Sequence, residues 1–165
     1  MVFDDFQKHC SMCEKGKPCG KYHLYVLTID PRLKVGKTSK KNRFRQVNPT
    51  THEEGEGLYV GKCECAPKCR QSKHRTYNPK KETLWTCYCG KYKSSNLYKK
   101  YRDNPTSIHN FLKGEYGFLK PKLFKKLNPF ETSAEAIEAE AKLAISLREN
   151  GYAVWAGDHD DKLTD

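Results

Sequence analysis

No stretch of this chain is apolar for long enough to cross a bilayer. The opening "MVFDDFQKHCSMC" is acidic, without the basic and then apolar run of a secretory leader. Export and a membrane partner are therefore not expected, and the expected location is intracellular, cytoplasmic or nuclear. Acidic residues are outnumbered as well: 20 Asp and Glu stand against 31 Lys and Arg, a formal net charge of +11. A surface that basic points to a polyanionic partner, with nucleic acid first. Apolar residues make up 36% of the 165, enough for one modest core but not for two of full size. No long repeat is present; "LYV" recurs at 24–26 and 58–60, and "VGK" at 35–37 and 60–62. One further absence matters. Gly36-Lys37-Thr38 ends like a nucleotide-binding phosphate loop, but Pro31 stands where that loop needs its first Gly. Pro has no N–H and a fixed φ, so it cannot help wrap a phosphate.

What the chain does have is cysteine and aromatic side chains. Eight Cys in a reducing compartment read as metal ligands before disulfides. Tyr is interleaved with Lys in "KKETLWTCYCGKYKSSNLYKKYR", a mixture that suits stacking and charge on a nucleic acid. Residues 1–20 read as a Cys-rich lead-in and residues 22–29, "YHLYVLTI", as a strand. Asp30-Pro31-Arg32 is turn chemistry, and Leu33 to Gly36 reads as a second strand closing a hairpin. Lys40 to Val47 opens a basic helix that Pro49 ends. Residues 57–90 read as a Cys-rich insert, 96–103 and 107–113 as short helices, and 158–165 as an acidic tail.

The clearest helix is "SAEAIEAEAKLAISLREN", 133–150. Thr132 and Glu135 have capping-box spacing at its start, and Gly151 stops it. "YAVWAG" then reads as a final strand. With Ile137 at zero and a step of about 100° per residue, Leu143, Ala136, Leu147, Ala144, Ala141 and Ile145 form one apolar arc. Glu140 falls at about 300°, inside that arc, whereas Glu138 at about 100° is at its edge and Glu135 at about 160° is outside. A carboxylate on a buried face needs a compensating partner, either a divalent metal or an Arg.

The run "HLYVLTIDPRLKVGKTSKKNRFRQVN" resembles the GIY-YIG nuclease family, in the branch whose second strand reads Lys-Ile-Gly-Lys-Thr before an Arg-rich helix. Leu24-Tyr25 stands at the first half-motif, with His23 where Gly is usual. Lys34-Val35-Gly36 stands at the second, with Lys34 in place of Tyr. Thr38 and Arg43 follow, and Arg45 is a rival for the same role. The resemblance covers 22–48 and 130–157. It implies an α+β fold, a small antiparallel sheet flanked by helices, spanning 21–157 with the Cys-rich insert inside it. It also implies a metal-dependent endonuclease that hydrolyses phosphodiester bonds in DNA, with RNA left open. Its Glu140 would hold one Mg²⁺ or Mn²⁺, Arg43 would bridge phosphate oxygens, and Tyr25, with Tyr22 as the alternative, would take or relay the attacking water's proton. Lys34 and Lys37 would lower the pKa of Tyr25. A second register is available, with "GLYVGK" at 57–62 as the first half-motif, "YCGKYKSSNLYKKYR" from Tyr88 as the second, and Arg102 as the arginine.

The cysteines fall in three groups: Cys10, Cys13 and Cys19; Cys63, Cys65 and Cys69; Cys87 and Cys89. Thiolates at such spacings suit tetrahedral Zn²⁺, in one or two structural sites. A metal would stabilise an insert with little apolar sequence of its own. Lys68, Arg70 and Arg75, with Lys37 and Arg45, would grip the nucleic-acid backbone. The competing function is a non-catalytic, zinc-containing nucleic-acid-binding protein.

Overall fold

The computed structural model describes residues 12, 15–34, 39–50, 55–78, 80–97 and 108–157. Strand β1 (His23–Thr28) is the expected first strand, and its residues from His23 to Leu27 are buried on both faces. Asp30 then turns the chain. Its carboxylate accepts from the Arg32 amide (2.9 Å) and from Arg32 Nε (2.7 Å), and its carbonyl accepts from the Leu33 amide (3.1 Å). Local bonds of this kind compete with extended backbone. Pro31–Lys34 is accordingly a 3-10 turn, which corrects the expected second strand from Leu33. Lys34 ends that turn, and Lys37 lies outside the described residues. Helix α1 (Ser39–Val47) follows and stops ahead of Pro49, as its sequence predicts.

The partner of β1 is β2 (Gly57–Cys63), antiparallel, with His23 opposite Cys63, Tyr25 opposite Gly61 and Thr28 opposite Leu58. Burial on both faces marks β2 as a central strand. The segment from residue 57, read above as the start of an insert, therefore begins inside the core. Helix α2 (Pro67–Thr76) has Pro in its first turn and packs on β1. Strands β3 (Leu84–Trp85) and β4 (Ser95–Asn96) pair as a short antiparallel ladder. Of the helix expected over 96–103, Asn96 is in β4 and Leu97 is helical and buried, and the rest lies outside the described residues; the one expected over 107–113 is a 3-10 turn at Ile108–Phe111.

Helix α3 (Ser133–Glu149) carries the predicted capping box. Thr132 Oγ1 accepts from the Glu135 amide (3.2 Å), and the Thr132 amide donates to Glu135 Oε2 (3.0 Å). Gly151, at φ 89°, turns the chain into β5 (Ala153–Ala156). β5 runs parallel to β2, so the three-stranded sheet has the order β1-β2-β5 and is mixed rather than purely antiparallel. A parallel neighbour needs a long crossover, which the chain between β2 and β5 provides. Of the predicted arc on α3, Ala136, Glu140, Ala144 and Leu147 are buried, whereas Ile145 at its margin is 54% exposed.

Both outer edges of this sheet are closed by a buried asparagine. Asn128 accepts from the Leu24 amide and donates to the Leu24 carbonyl, both at 2.7 Å. Asn48 accepts from the Val154 amide (2.6 Å) and donates to the Val154 carbonyl (3.0 Å). Each side chain imitates one residue of an adjoining strand, where a bare edge would invite pairing with another chain. Backbone bonds to Phe118, Lys120 and Phe130 cover the rest of β1.

Candidate active site and thiol cluster

Side chains alternate along a strand, so Tyr25 and Leu27 of β1 share a face with Tyr59 and Gly61 of β2. The Tyr25 ring lies across Gly61: a Cβ there would sit 2.5 Å from the Tyr25 hydroxyl. Gly157 admits Tyr59 in the same way, its would-be Cβ falling 2.5 Å from the Tyr59 hydroxyl. Helix α2 adds Arg70 and His74, four residues apart and so on one helix face. The His74 ring lies 6.0 Å from that of Tyr25 and 5.7 Å from that of Tyr59, while the two Tyr rings are 5.9 Å apart. His74 Nε2 is 3.3 Å from the Tyr25 hydroxyl, and the Arg70 guanidinium is 5.8 Å from the Tyr25 ring centre.

Glu140 joins this group from α3, which packs on all three strands of the sheet. It is fully buried, and its charge pushes the Tyr59 hydroxyl further up. Burial is the larger cause at Tyr59, as it is at Tyr25, whose pKa is pushed up to about 12. Arg70 opposes this rise at both phenols, but desolvation wins. The expectation of a lowered Tyr25 pKa is thereby corrected: the nearby cation is Arg70, and it only moderates the effect of burial. The phenols in turn raise the pKa of Arg70, so its charge is secure.

Arg43 and Arg45 lie on α1, which packs against β5 and the 3-10 turn at Pro31–Lys34. Arg45 donates to Asn42 Oδ1 at 2.6 Å. Arg70, assigned from sequence to backbone gripping, is the arginine beside Tyr25. Lys68 Nζ sits 4.7 Å over the Tyr88 ring. Arg75 stacks 3.7 Å over Phe118 and donates to the carbonyls of Gly114 (3.0 Å) and Tyr116 (2.5 Å). Its guanidinium thus ties α2 to a neighbouring loop. Tyr59 and Gly61 enter the sequence reading only in the second register, as part of its first half-motif, and His74 only as a possible zinc ligand or backbone-gripping residue; the structure sets all three beside Tyr25. The echo of "LYV" is the signal for Tyr59, because its two copies occupy paired strands; nothing in it points to His74.

The thiols gather around the start of α2. The Sγ atoms of Cys65, Cys69 and Cys87 lie within 4.8 Å of one another, all buried, a group able to hold a metal ion. Cys89 Sγ is 3.5 Å from Cys87 Sγ, and the Cys89 amide donates to Cys69 Sγ at 3.3 Å. Cys63 donates its thiol to the Cys65 carbonyl at 2.8 Å. Cys19 Sγ lies 3.5 Å from His23 Nε2; Cys10 and Cys13 are outside the described residues, as is Arg102.

No protein-family model, curated protein or solved structure matches this chain. Among the described residues, no helix is long and apolar enough to cross a membrane.

Proposed function

We propose that this protein is a metal-dependent endonuclease of the GIY-YIG type, hydrolysing phosphodiester bonds in DNA. In this reading the half-motifs are His23-Leu24-Tyr25 on β1 and Tyr59-Val60-Gly61 on β2, and the arginine is Arg70. The observation that carries it is Tyr25 lying over Gly61 on neighbouring antiparallel strands, with Arg70 and His74 against its ring.

Each residue type suits the reaction. A water oxygen bonds to phosphorus while the bond from phosphorus to the leaving oxygen breaks, and negative charge grows on the phosphate. Arg70 binds the phosphate oxygens with its planar fork and opposes that charge. Tyr25 takes the water's proton as its own hydroxyl proton passes to His74 Nε2, 3.3 Å away. This relay matters because burial keeps Tyr25 protonated at neutral pH. Glu140 fits a Mg²⁺ or Mn²⁺ ion, since it is a hard anionic oxygen donor on the buried face beside Tyr59. Bound there, the ion would neutralise charge on the phosphate. The thiol cluster belongs to the same reading as a structural Zn²⁺ site.

Supercoiled plasmid tests it, incubated with protein and Mg²⁺ or Mn²⁺, with and without EDTA. Metal-dependent nicking is expected, with losses of about 100-fold or more for Glu140→Ala and Arg70→Ala. Arg43→Ala should stay within several-fold of wild type. Nicking that survives Arg70→Ala and fails in Arg43→Ala moves the arginine to α1. No nicking by any protein, with DNA binding retained, leaves the non-catalytic nucleic-acid-binding reading instead.

A further inference from the structure

We propose that Cys65, Cys69, Cys87 and Cys89 form one four-thiolate Zn²⁺ site that fixes the position of α2, and through it Arg70 and His74. The nuclease reading is needed only for what those two side chains do; the metal site and its grip on α2 stand apart from it.

The geometry favours this set of four. A tetrahedral site with Zn–S bonds of about 2.3 Å has sulfur–sulfur edges of about 3.8 Å. Three of the sulfurs, those of Cys65, Cys69 and Cys87, lie within 4.8 Å of one another; the fourth, Cys89 Sγ, is 3.5 Å from Cys87 Sγ but outside that mutual distance, so it has to close in on the other two as the metal binds. All four thiols are free and at most 3% exposed. The Cys89 amide already donates to Cys69 Sγ, the kind of outer contact that supports a metal-bound thiolate. Cys87 and Cys89 sit in a turn closed by the Gly90 amide on the Cys87 carbonyl (3.1 Å), with Gly90 at φ 73°. Cys63 also stands beside the Cys65 thiol, but its own thiol donates to the Cys65 carbonyl, so Cys89 rather than Cys63 is taken as the fourth ligand, a choice the Cys63→Ser variant tests.

The site would act as a clamp on one helix. Cys65 precedes α2 and Cys69 lies in its first turn, so two ligands hold the helix start. The other two come from Cys87 and Cys89, in the loop between β3 and β4, whose pairing is a ladder of two residues per strand. Such a segment depends on a metal for order. Lys73, one helical turn beyond Cys69, keeps its Nζ 5.4 Å over the Trp85 ring on the same side. Arg70 and His74 are one position further round each time and meet the Tyr25 ring. The helix is held between the thiols and the sheet, and the metal sets one of its two supports.

The test uses the full chain. Zinc is measured on purified protein, and the site is loaded with Co²⁺ for its absorption spectrum. Amide hydrogen exchange is then compared with and without zinc, and plasmid nicking is measured in excess Mg²⁺ in both states. One zinc per chain is expected, with the intense visible bands of tetrahedral tetrathiolate cobalt. Cys89→Ser should lose that signature and Cys63→Ser should keep it. Without zinc, amides of 67–76 should lose protection by about tenfold or more while β1, β2 and β5 keep theirs. Nicking should fall with them and return on adding one equivalent of zinc. Less than half an equivalent of zinc on reduced protein, or a Cys63→Ser variant that loses the cobalt bands, overturns the ligand set. Unchanged exchange at 67–76, or equal loss across the sheet, overturns the clamp. If no sample nicks while exchange responds as expected, the clamp stands and the nuclease reading falls.

Discussion

A methyl group added at Gly61 would lie 2.5 Å from the Tyr25 hydroxyl, and that ring is hemmed in by Arg70, His74 and Tyr59. It has little room to yield. Gly61→Ala should therefore cost about 1–3 kcal/mol of stability, read as a lower urea midpoint, and should impair nicking as well. Titration of Tyr25 gives a second expectation. Its pKa rises from 10.0 to about 12 on folding, so the unfolded chain loses the proton first as pH climbs. Stability supplied by the neutral phenol is complete below pH 10 and is lost between about pH 10 and 12, by roughly 3 kcal/mol at the top. Tyr25→Phe should flatten that part of the alkaline unfolding curve. A curve unchanged by the substitution would place the titration elsewhere.

The elements of the sheet are held at their margins by side chains rather than by further strands. Asn128→Ala would strip partners from both backbone groups of Leu24, and Asn48→Ala from those of Val154. Each should cost about 3 kcal/mol or more in urea denaturation, because buried peptide groups are left unpaired. Asn128→Asp should not rescue, since a carboxylate cannot donate to the Leu24 carbonyl. If either Ala variant matches wild type, water closes the edge as well as the amide does. Legibility in the sequence also divides by element. β1, α1, α3 with its capping box, and β5 follow from local pattern and cap chemistry, and Glu140 from helical phase. The partner of β1 did not follow. "KVG" at 34–36 and "YVG" at 59–61 are similar in letters, and the choice rests on the Asp30 carboxylate turning Arg32 and Leu33 into a 3-10 turn. The direction of β5 rests on a long crossover, which local pattern does not encode.

On the scale of the molecule, a charge of +11 and the proposed site lead to a binding expectation. Affinity for plasmid DNA should fall linearly with the logarithm of salt concentration, with a slope near −4 to −5 if about five phosphates are engaged. A slope near zero would remove the phosphate backbone as the partner. Net charge points to a polyanion without saying which arginine does what: sequence alone makes Arg70 one of several gripping cations, and only the packing of α2 on β1 sets it beside Tyr25. The two asparagine locks have a consequence for how the chain is made. Their partners are 104 and 106 residues away in sequence. During synthesis at roughly 5–20 residues per second, β1 and β2 leave the ribosome several seconds before either lock can close. Until then β1 has an open outer edge and β2 lacks its neighbour β5, so the nascent strand pair is more exposed to pairing with other chains than the finished sheet is.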